Sequence, residues 1–126
     1  MSHITRIKTV MVEKQYLLKA LQSMGYQVQE RARSIVTDRG RRKEEELRVQ
    51  PPRSCEISFR KVGQTYQVAA DWDGVRGINR KEFVSQVVQR YSYYAAVDKL
   101  KEQGFEVASE QVNQDRQIQI ILRRTV

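Results

Sequence analysis

The spacing of hydrophobic positions predicts a long helix within the stretch from Asn79 to Val107, followed directly by a strand. With a rotation of about 100° per residue, the apolar side chains of its first half fall on one arc of roughly 140°, which is typical of a face packed on a core. These side chains are Phe83, Val84, Val87, Val88, Tyr91, Tyr94 and Ala95.

The apolar face of this helix changes direction in its second half. Tyr93, Val97 and Leu100 lie nearly opposite the first arc. A helix buried on two sides needs cover that a small domain rarely has, so we expect a break or kink between Arg90 and Tyr93.

Local signals mark both ends of the same helix. Asn79 followed by Glu82 predicts a capping box, in which the Asn79 side chain accepts the backbone N–H of Glu82. Gly104 predicts the end of the helix, because glycine commonly follows a helix C-terminus.

Shorter elements are predicted at the start of the chain. Residues His3–Val10 are typical of a strand, and Glu13–Met24 has the spacing of a helix that Gly25 ends. A strand over Tyr26–Glu30 follows.

Alternating stretches predict two β-hairpins. Cys55–Lys61 and Thr65–Asp73 flank a short loop with a glycine, and Phe105–Val112 and Arg116–Arg124 form a similar pair near the end. The positions expected to face the core are Cys55, Ile57, Phe59, Tyr66, Val68, Ala70, Trp72, Ile118, Ile120 and Leu122.

An internal similarity suggests how these elements assemble. Lys19–Glu30 parallels Asp98–Glu110, and each stretch holds a helix end, a glycine and a strand that opens with an aromatic residue. Coincidence is the alternative, since such joints are common. We predict an α+β fold with helices on one face of an antiparallel sheet, ferredoxin-like, with two related β-α-β-β halves.

Length and composition limit the class of protein. The chain has 126 residues, which predicts a single domain over 1–126. No apolar run is long enough to cross a membrane, and the N-terminus lacks the apolar segment of a secretory signal. The single cysteine, Cys55, excludes an internal disulfide and fits a reducing compartment such as the cytoplasm.

The positive charge is concentrated in one segment. The net charge is +8, and Arg31–Arg53 carries eight basic against four acidic residues. This segment is interpreted as a mobile, solvated connection or an extended hairpin. The alternative is a basic arm that becomes ordered on an acidic partner.

Catalytic and cofactor motifs are absent from the sequence. There is no phosphate-binding or dinucleotide-binding glycine motif and no nucleophile-elbow motif. His3 is interpreted as a terminal or strand-edge residue and Cys55 as a small core residue. Asp71, Asp73, Asn79 and Glu82 have the spacing of a poor calcium loop, in which Val75 replaces a ligand; a turn followed by a helix cap explains the same residues. We therefore predict no catalytic residue, cofactor or metal.

Motifs at both ends of the chain and in the long helix resemble a known family. They are Ser2-His3-Ile4 with Ile7-Lys8-Thr9, the joint of Leu21 with Gly25-Tyr26, Gln89-Arg90-Tyr91-Ser92-Tyr93, Gly104-Phe105-Glu106-Val107 and Ile120-Ile121-Leu122-Arg123-Arg124.

The chain resembles the hypothetical chloroplast reading frame thirty-five family of cyanobacteria and plastids, also known as domain of unknown function twelve fifty-seven. Residues Arg31–Arg53 depart from its pattern, being richer in arginine. The family has no established activity, so no site residue transfers. The resemblance implies a cytosolic protein, stromal if plastid-encoded, that works with other small proteins or an ATPase.

Three functions remain open on the sequence. The first is a non-catalytic interaction module of a larger assembly, which binds another protein, such as an ATPase or a small acidic protein. The second is a nucleic-acid binder that contacts phosphates through the basic segment and stacks bases on Tyr91, Tyr93, Tyr94 and Trp72. The third is an accessory subunit of an enzyme completed by another chain. The candidate partner-binding residues are Arg39, Arg41, Arg42, Lys43, Arg90 and Tyr93.

Overall fold

The computed structural model describes residues 4–115 and 117–125, and within them every side chain except those of Arg33, Ile35 and Arg42. In chain order the elements are β1 (Ile4–Lys8), α1 (Lys14–Ser23), β2 (Val28–Thr37), β3 (Gly40–Val49), β4 (Ile57–Val62), β5 (Thr65–Asp71), α2 (Arg80–Glu102), β6 (Phe105–Val112) and β7 (Ile118–Arg124).

The strands form two antiparallel sheets. The larger has the order β1-β5-β4-β3-β2, and the smaller pairs β6 with β7. The α+β class with an antiparallel sheet is therefore confirmed. The ferredoxin-like detail is not confirmed, because β6 and β7 make a sheet of their own instead of joining the larger one.

The core lies between the two helices and one face of the larger sheet. Leu17 and Leu21 of α1 and Phe83 and Val87 of α2 are buried in one cluster with the sheet side chains. The ring centroids of Phe59 and Phe83 are 6.2 Å apart. The expected inward positions of β5 are confirmed for Tyr66, Val68 and Ala70, which are at most 4% exposed.

The long helix does not break. α2 is continuous from Arg80 to Glu102, so the predicted kink between Arg90 and Tyr93 is wrong. The second apolar arc has cover after all, because β6 packs against α2. Val97 on that arc is only 9% exposed, and the Tyr93 hydroxyl donates to the Glu110 carboxylate of β6.

The predicted ends of the helices are confirmed. The Asn79 side chain accepts the backbone N–H of Glu82 at 3.1 Å, as expected for the N-cap of α2. Gly25 and Gly104 follow α1 and α2 with φ of 91° and 89°, a region that favours glycine.

The start of α1 is capped by a residue of the other helix. Glu13 makes no side-chain cap there. Instead the hydroxyl of Tyr91 accepts the backbone N–H groups of Val12 at 3.0 Å and Glu13 at 2.8 Å. This hydroxyl satisfies the free N–H of the N-cap residue Glu13 and that of Val12 before it, and so fixes the start of α1 on α2.

The predicted burial of Cys55 is wrong. The residue is exposed, because β4 begins only at Ile57 and the alternation of buried and exposed strand positions does not reach Cys55. Its backbone N–H donates to the Gly74 carbonyl at 2.9 Å. Its sulfur lies so close to Gly74 that a Cβ on that residue would be 2.3 Å away.

Candidate partner-binding site

The segment Arg31–Arg53 is mainly an extended hairpin that projects from the sheet. β2 and β3 pair from Val28 with Val49 up to Thr37 with Gly40, but β4 pairs only with Glu46–Val49. Residues 32–45 therefore have no further strand beside them among the described residues, and we call them the basic arm. Six strand residues on each side, at about 3.3 Å per residue, give a length of about 20 Å.

The end of the basic arm concentrates positive charge. Residues 33–43 hold five basic residues and one acidic residue, a net charge of +4 and half of the +8 of the whole chain. Arg39, Arg41 and Lys43 are exposed, and Val36 beside them is 78% exposed. The arm thus offers cations and the apolar side chain of Val36 to solvent.

The register of the hairpin places Arg41, Lys43 and Val36 on one face. Arg41 pairs with Val36 and Lys43 with Ser34, and residues two apart on a strand share a side. Arg39 lies in the turn, whose Thr37 hydroxyl donates to the Gly40 carbonyl at 2.9 Å. Arg42 belongs to β3, and its side chain lies outside the described ones.

A buried ionic cluster holds the base of the arm. Glu46 has a fully buried side chain, and Arg60 Nε lies 3.1 Å and Arg48 Nη2 3.2 Å from its carboxylate oxygens. Arg48 Nη1 also reaches Glu56 Oε1 at 3.0 Å. Along β3, Glu46 is the first residue that pairs with β4, so the cluster marks the point where the arm leaves the sheet.

The pKa of Glu46 reflects both burial and these arginines. Burial alone would raise the pKa of the carboxyl group, but the hydrogen bonds and charges of Arg48 and Arg60 outweigh it and lower the pKa below its ordinary value. Glu46 is therefore ionised at neutral pH. Sequence reasoning missed this cluster, and its only local signal is that Glu46 and Arg48 alternate with the core residues Leu47 and Val49.

The other two candidate residues serve contacts inside the chain. Arg90 Nη1 donates to Ser23 Oγ at 3.1 Å and so joins α2 to the end of α1. Tyr93 packs its ring 5.2 Å from that of Tyr94, and burial together with the nearby Glu110 carboxylate raises the pKa of Tyr93 to about 12. No contact among the described residues brings Arg90 or Tyr93 to the arm.

The aromatic residues proposed for base stacking also pack against other side chains of the protein. Trp72 packs against Phe83 with ring centroids 6.4 Å apart, and Tyr91 caps α1 while its ring meets Tyr16 edge-on at 5.7 Å. Tyr94 is half-buried. These rings are half-buried and packed against neighbouring side chains, so they do not form an open stacking platform.

The described residues contain no group of three or more His, Cys, Asp or Glu side chains that could hold a metal ion. Asn79 of the suggested calcium spacing is used as a helix cap. His3 lies outside the described residues. In the described part of the chain, no helix is both long and apolar enough to cross a membrane.

Fold and site together define a small α+β protein with a projecting basic hairpin. Residues 20–121 match the family described as Protein of unknown function (DUF1257), and the chain belongs to that family. It is 26% identical to the uncharacterized protein ycf35 of Cyanophora paradoxa and 25% identical to that of Pyropia yezoensis, in each case over 98% of both chains. No solved structure matches the chain with significance.

Proposed function

We propose that this protein is a non-catalytic interaction module of a larger assembly and that the basic arm captures an acidic protein partner. The observation that supports this proposal is the arm itself, a two-stranded hairpin that extends about 20 Å past its last strand neighbour. In this proposal the partner is another protein, an ATPase or a small acidic protein, met in the cytoplasm or in the stroma.

The arm suits capture for two physical reasons. It is folded as a hairpin of fixed register in the free chain, so binding costs less ordering entropy than it would for a disordered segment. Its cations are exposed and concentrated, which speeds encounter with an acidic surface. Val36 then provides an apolar contact beside Arg41 and Lys43.

The roles of the candidate residues differ in this proposal. Arg39, Arg41, Arg42 and Lys43 of the arm meet the partner. Arg90 and Tyr93 support the packing of α2, because each is engaged with a neighbouring element.

Charge reversal of the arm tests the proposal. The variant with Arg39, Arg41, Arg42 and Lys43 replaced by Glu should fail to recover the partner in affinity purification from the native host, with nuclease treatment and mass spectrometry. The matched control reverses four exposed cations elsewhere, Lys19, Arg76, Lys99 and Lys101, and should retain the partner. Equal capture by both variants refutes the arm as the binding surface.

A second candidate function is nucleic-acid binding by the same arm. A two-stranded β-ribbon fits the major groove of DNA, and arginine and lysine contact phosphates. Binding would then weaken steeply with salt in a mobility-shift titration, and nuclease treatment would release the captured material. Absence of any shift at low salt excludes this candidate and leaves the protein partner.

A further inference from the structure

The edge of the larger sheet formed by β1 is open. Among the described residues, β1 pairs with β5 and with no other strand. The Thr9 N–H donates to the Tyr66 carbonyl, and β1 pairs with β5 without a register shift from Lys8 to Ile4. Since backbone groups of an antiparallel strand alternate in direction, those of Thr5 and Ile7 point to β5 and those of Arg6 and Lys8 point outward.

A groove lies beside this open edge. It has a volume of about 420 Å³ and runs between β1 and the first turns of α2. We call it the β1–α2 groove, and the residues that line it are Thr5, Ile7, Arg80, Lys81, Val84 and Ser85. Its size falls within the range of about 300–1,000 Å³ seen for ligand pockets.

The walls of the β1–α2 groove combine an apolar floor with a basic rim. Ile7 and Val84 are half-buried, whereas Arg80 and Lys81 are exposed. None of the described residues that line the groove is acidic. On the opposite face of β1, the side chains of Arg6 and Lys8 are exposed as well, so both sides of the open edge carry exposed cations.

We propose that the β1 edge binds an extended acidic peptide of a partner protein as a sixth strand. The outward backbone groups of Arg6 and Lys8 pair with the peptide backbone, as in β-strand addition. Alternate peptide side chains then enter the β1–α2 groove, where Ile7 and Val84 select apolar residues. The residues between them lie beside the side chains of Arg6 and Lys8, which select Glu or Asp.

The charges also argue against a second copy of the chain as the occupant. Symmetric pairing of β1 with another β1 would bring Arg6 and Lys8 close to their own copies. Like charges on facing positions of paired strands are destabilising. An acidic peptide instead neutralises the same cations.

The surface is separate from the basic arm, which lies at the β2–β3 end of the sheet. Peptide binding at the β1 edge is therefore independent of the function proposed above. The variant with the four arm residues reversed shows whether the peptide binds the arm or the β1 edge.

A labelled peptide of alternating Glu and Val is the probe, with binding to the full chain followed by fluorescence anisotropy. A peptide of alternating Lys and Val is the charge control. The decisive pair of variants is Lys8→Pro and Lys8→Ala. Both remove the charge, but only proline removes the outward N–H, and proline is tolerated on an edge strand when its lost N–H does not pair within the sheet.

We expect the Glu-Val peptide to bind and the Lys-Val peptide not to bind. Lys8→Pro should bind the Glu-Val peptide roughly tenfold more weakly than Lys8→Ala does. In the wild-type chain, the amides of Arg6 and Lys8 should gain protection from hydrogen exchange when peptide is added. Because this measurement uses the wild-type chain, it tests the proposal even if Lys8→Pro does not fold.

Three results would overturn the proposal. The first is no binding of the Glu-Val peptide, or equal binding by the two Lys8 variants with no protection of the β1 amides. The second is loss of Glu-Val peptide binding in the arm variant alone, which would place the bound peptide on the arm. The third is a dimer in sedimentation analysis whose interface protects the same amides, which would make a second copy the occupant.

Discussion

Replacing Glu46 by Gln should destabilise the protein by about 2–3 kcal/mol. Removing one partner of a fully buried ion pair costs about 3–5 kcal/mol, because the remaining charge stays buried without compensation. Here the carboxylate is fully buried, but the Arg48 and Arg60 side chains keep 19% and 24% of their exposure. The two guanidinium groups can thus regain some hydration, which places the cost at or just below the lower end of that range.

The effect should be measured as a shift of the melting temperature and by urea unfolding. For a chain of this size, about 2–3 kcal/mol corresponds to a loss of roughly 10 °C. The matched control is Glu56→Gln, which touches the same Arg48 at 3.0 Å but has a side chain that is 47% exposed. That change should cost less than about 0.5 kcal/mol.

The pH dependence gives an independent check on the same residue. The folded state lowers the pKa of Glu46 below its ordinary 4.5, so the carboxyl group binds its proton more weakly when folded. Its stabilisation is therefore complete above pH 4.5 and is lost as the pH falls through the folded pKa. The difference in unfolding free energy between wild type and Glu46→Gln should shrink below pH 4.5. A difference that stays constant, or equal losses in the Glu46 and Glu56 variants, refutes the reasoning.

Two further predictions concern contacts between elements. Tyr91→Phe leaves the N–H groups of Val12 and Glu13 without their acceptor and should cost about 1 kcal/mol in urea unfolding; no loss would show that water replaces the hydroxyl. Gly74→Ala should destabilise by about 1–3 kcal/mol because its Cβ would meet the Cys55 sulfur, and the double variant with Cys55→Ala should regain part of that loss. If the second change restores nothing, the clash is not the cause.

What could be predicted from the sequence depended on local signals. The Asn79 cap and the glycines after both helices follow from residues within a few positions of each other, and the structure bears them out. The course of α2 could not be predicted in the same way. Its second apolar arc is covered by β6, and helical spacing does not show which distant element supplies such cover.

In the candidate site, too, some features follow from local sequence and others depend on distant residues. The basic arm was visible as a concentration of charge, but its length as a hairpin depends on where β4 stops pairing. The Glu46 cluster needs Arg60, a residue of another strand, and so follows only from the register. Arg90 and Tyr93 lie where the sequence predicts a helix break that the structure does not have. On the continuous helix, their side chains contact neighbouring elements of the fold.

The placement of β1 has a consequence for behaviour at high concentration. Its first residue, Ile4, pairs with Asp71 across more than half of the chain, and within β1 only Ile7 is even half-buried. Backbone bonds hold this strand more than side-chain burial does, so it detaches at lower free energy than β3, β4 and β5, which supply buried core residues. Detachment of β1 exposes the edge of β5, which can then pair with the β1 strand of a neighbouring molecule. Mild destabilisation of a concentrated sample therefore favours exchange of this strand between molecules.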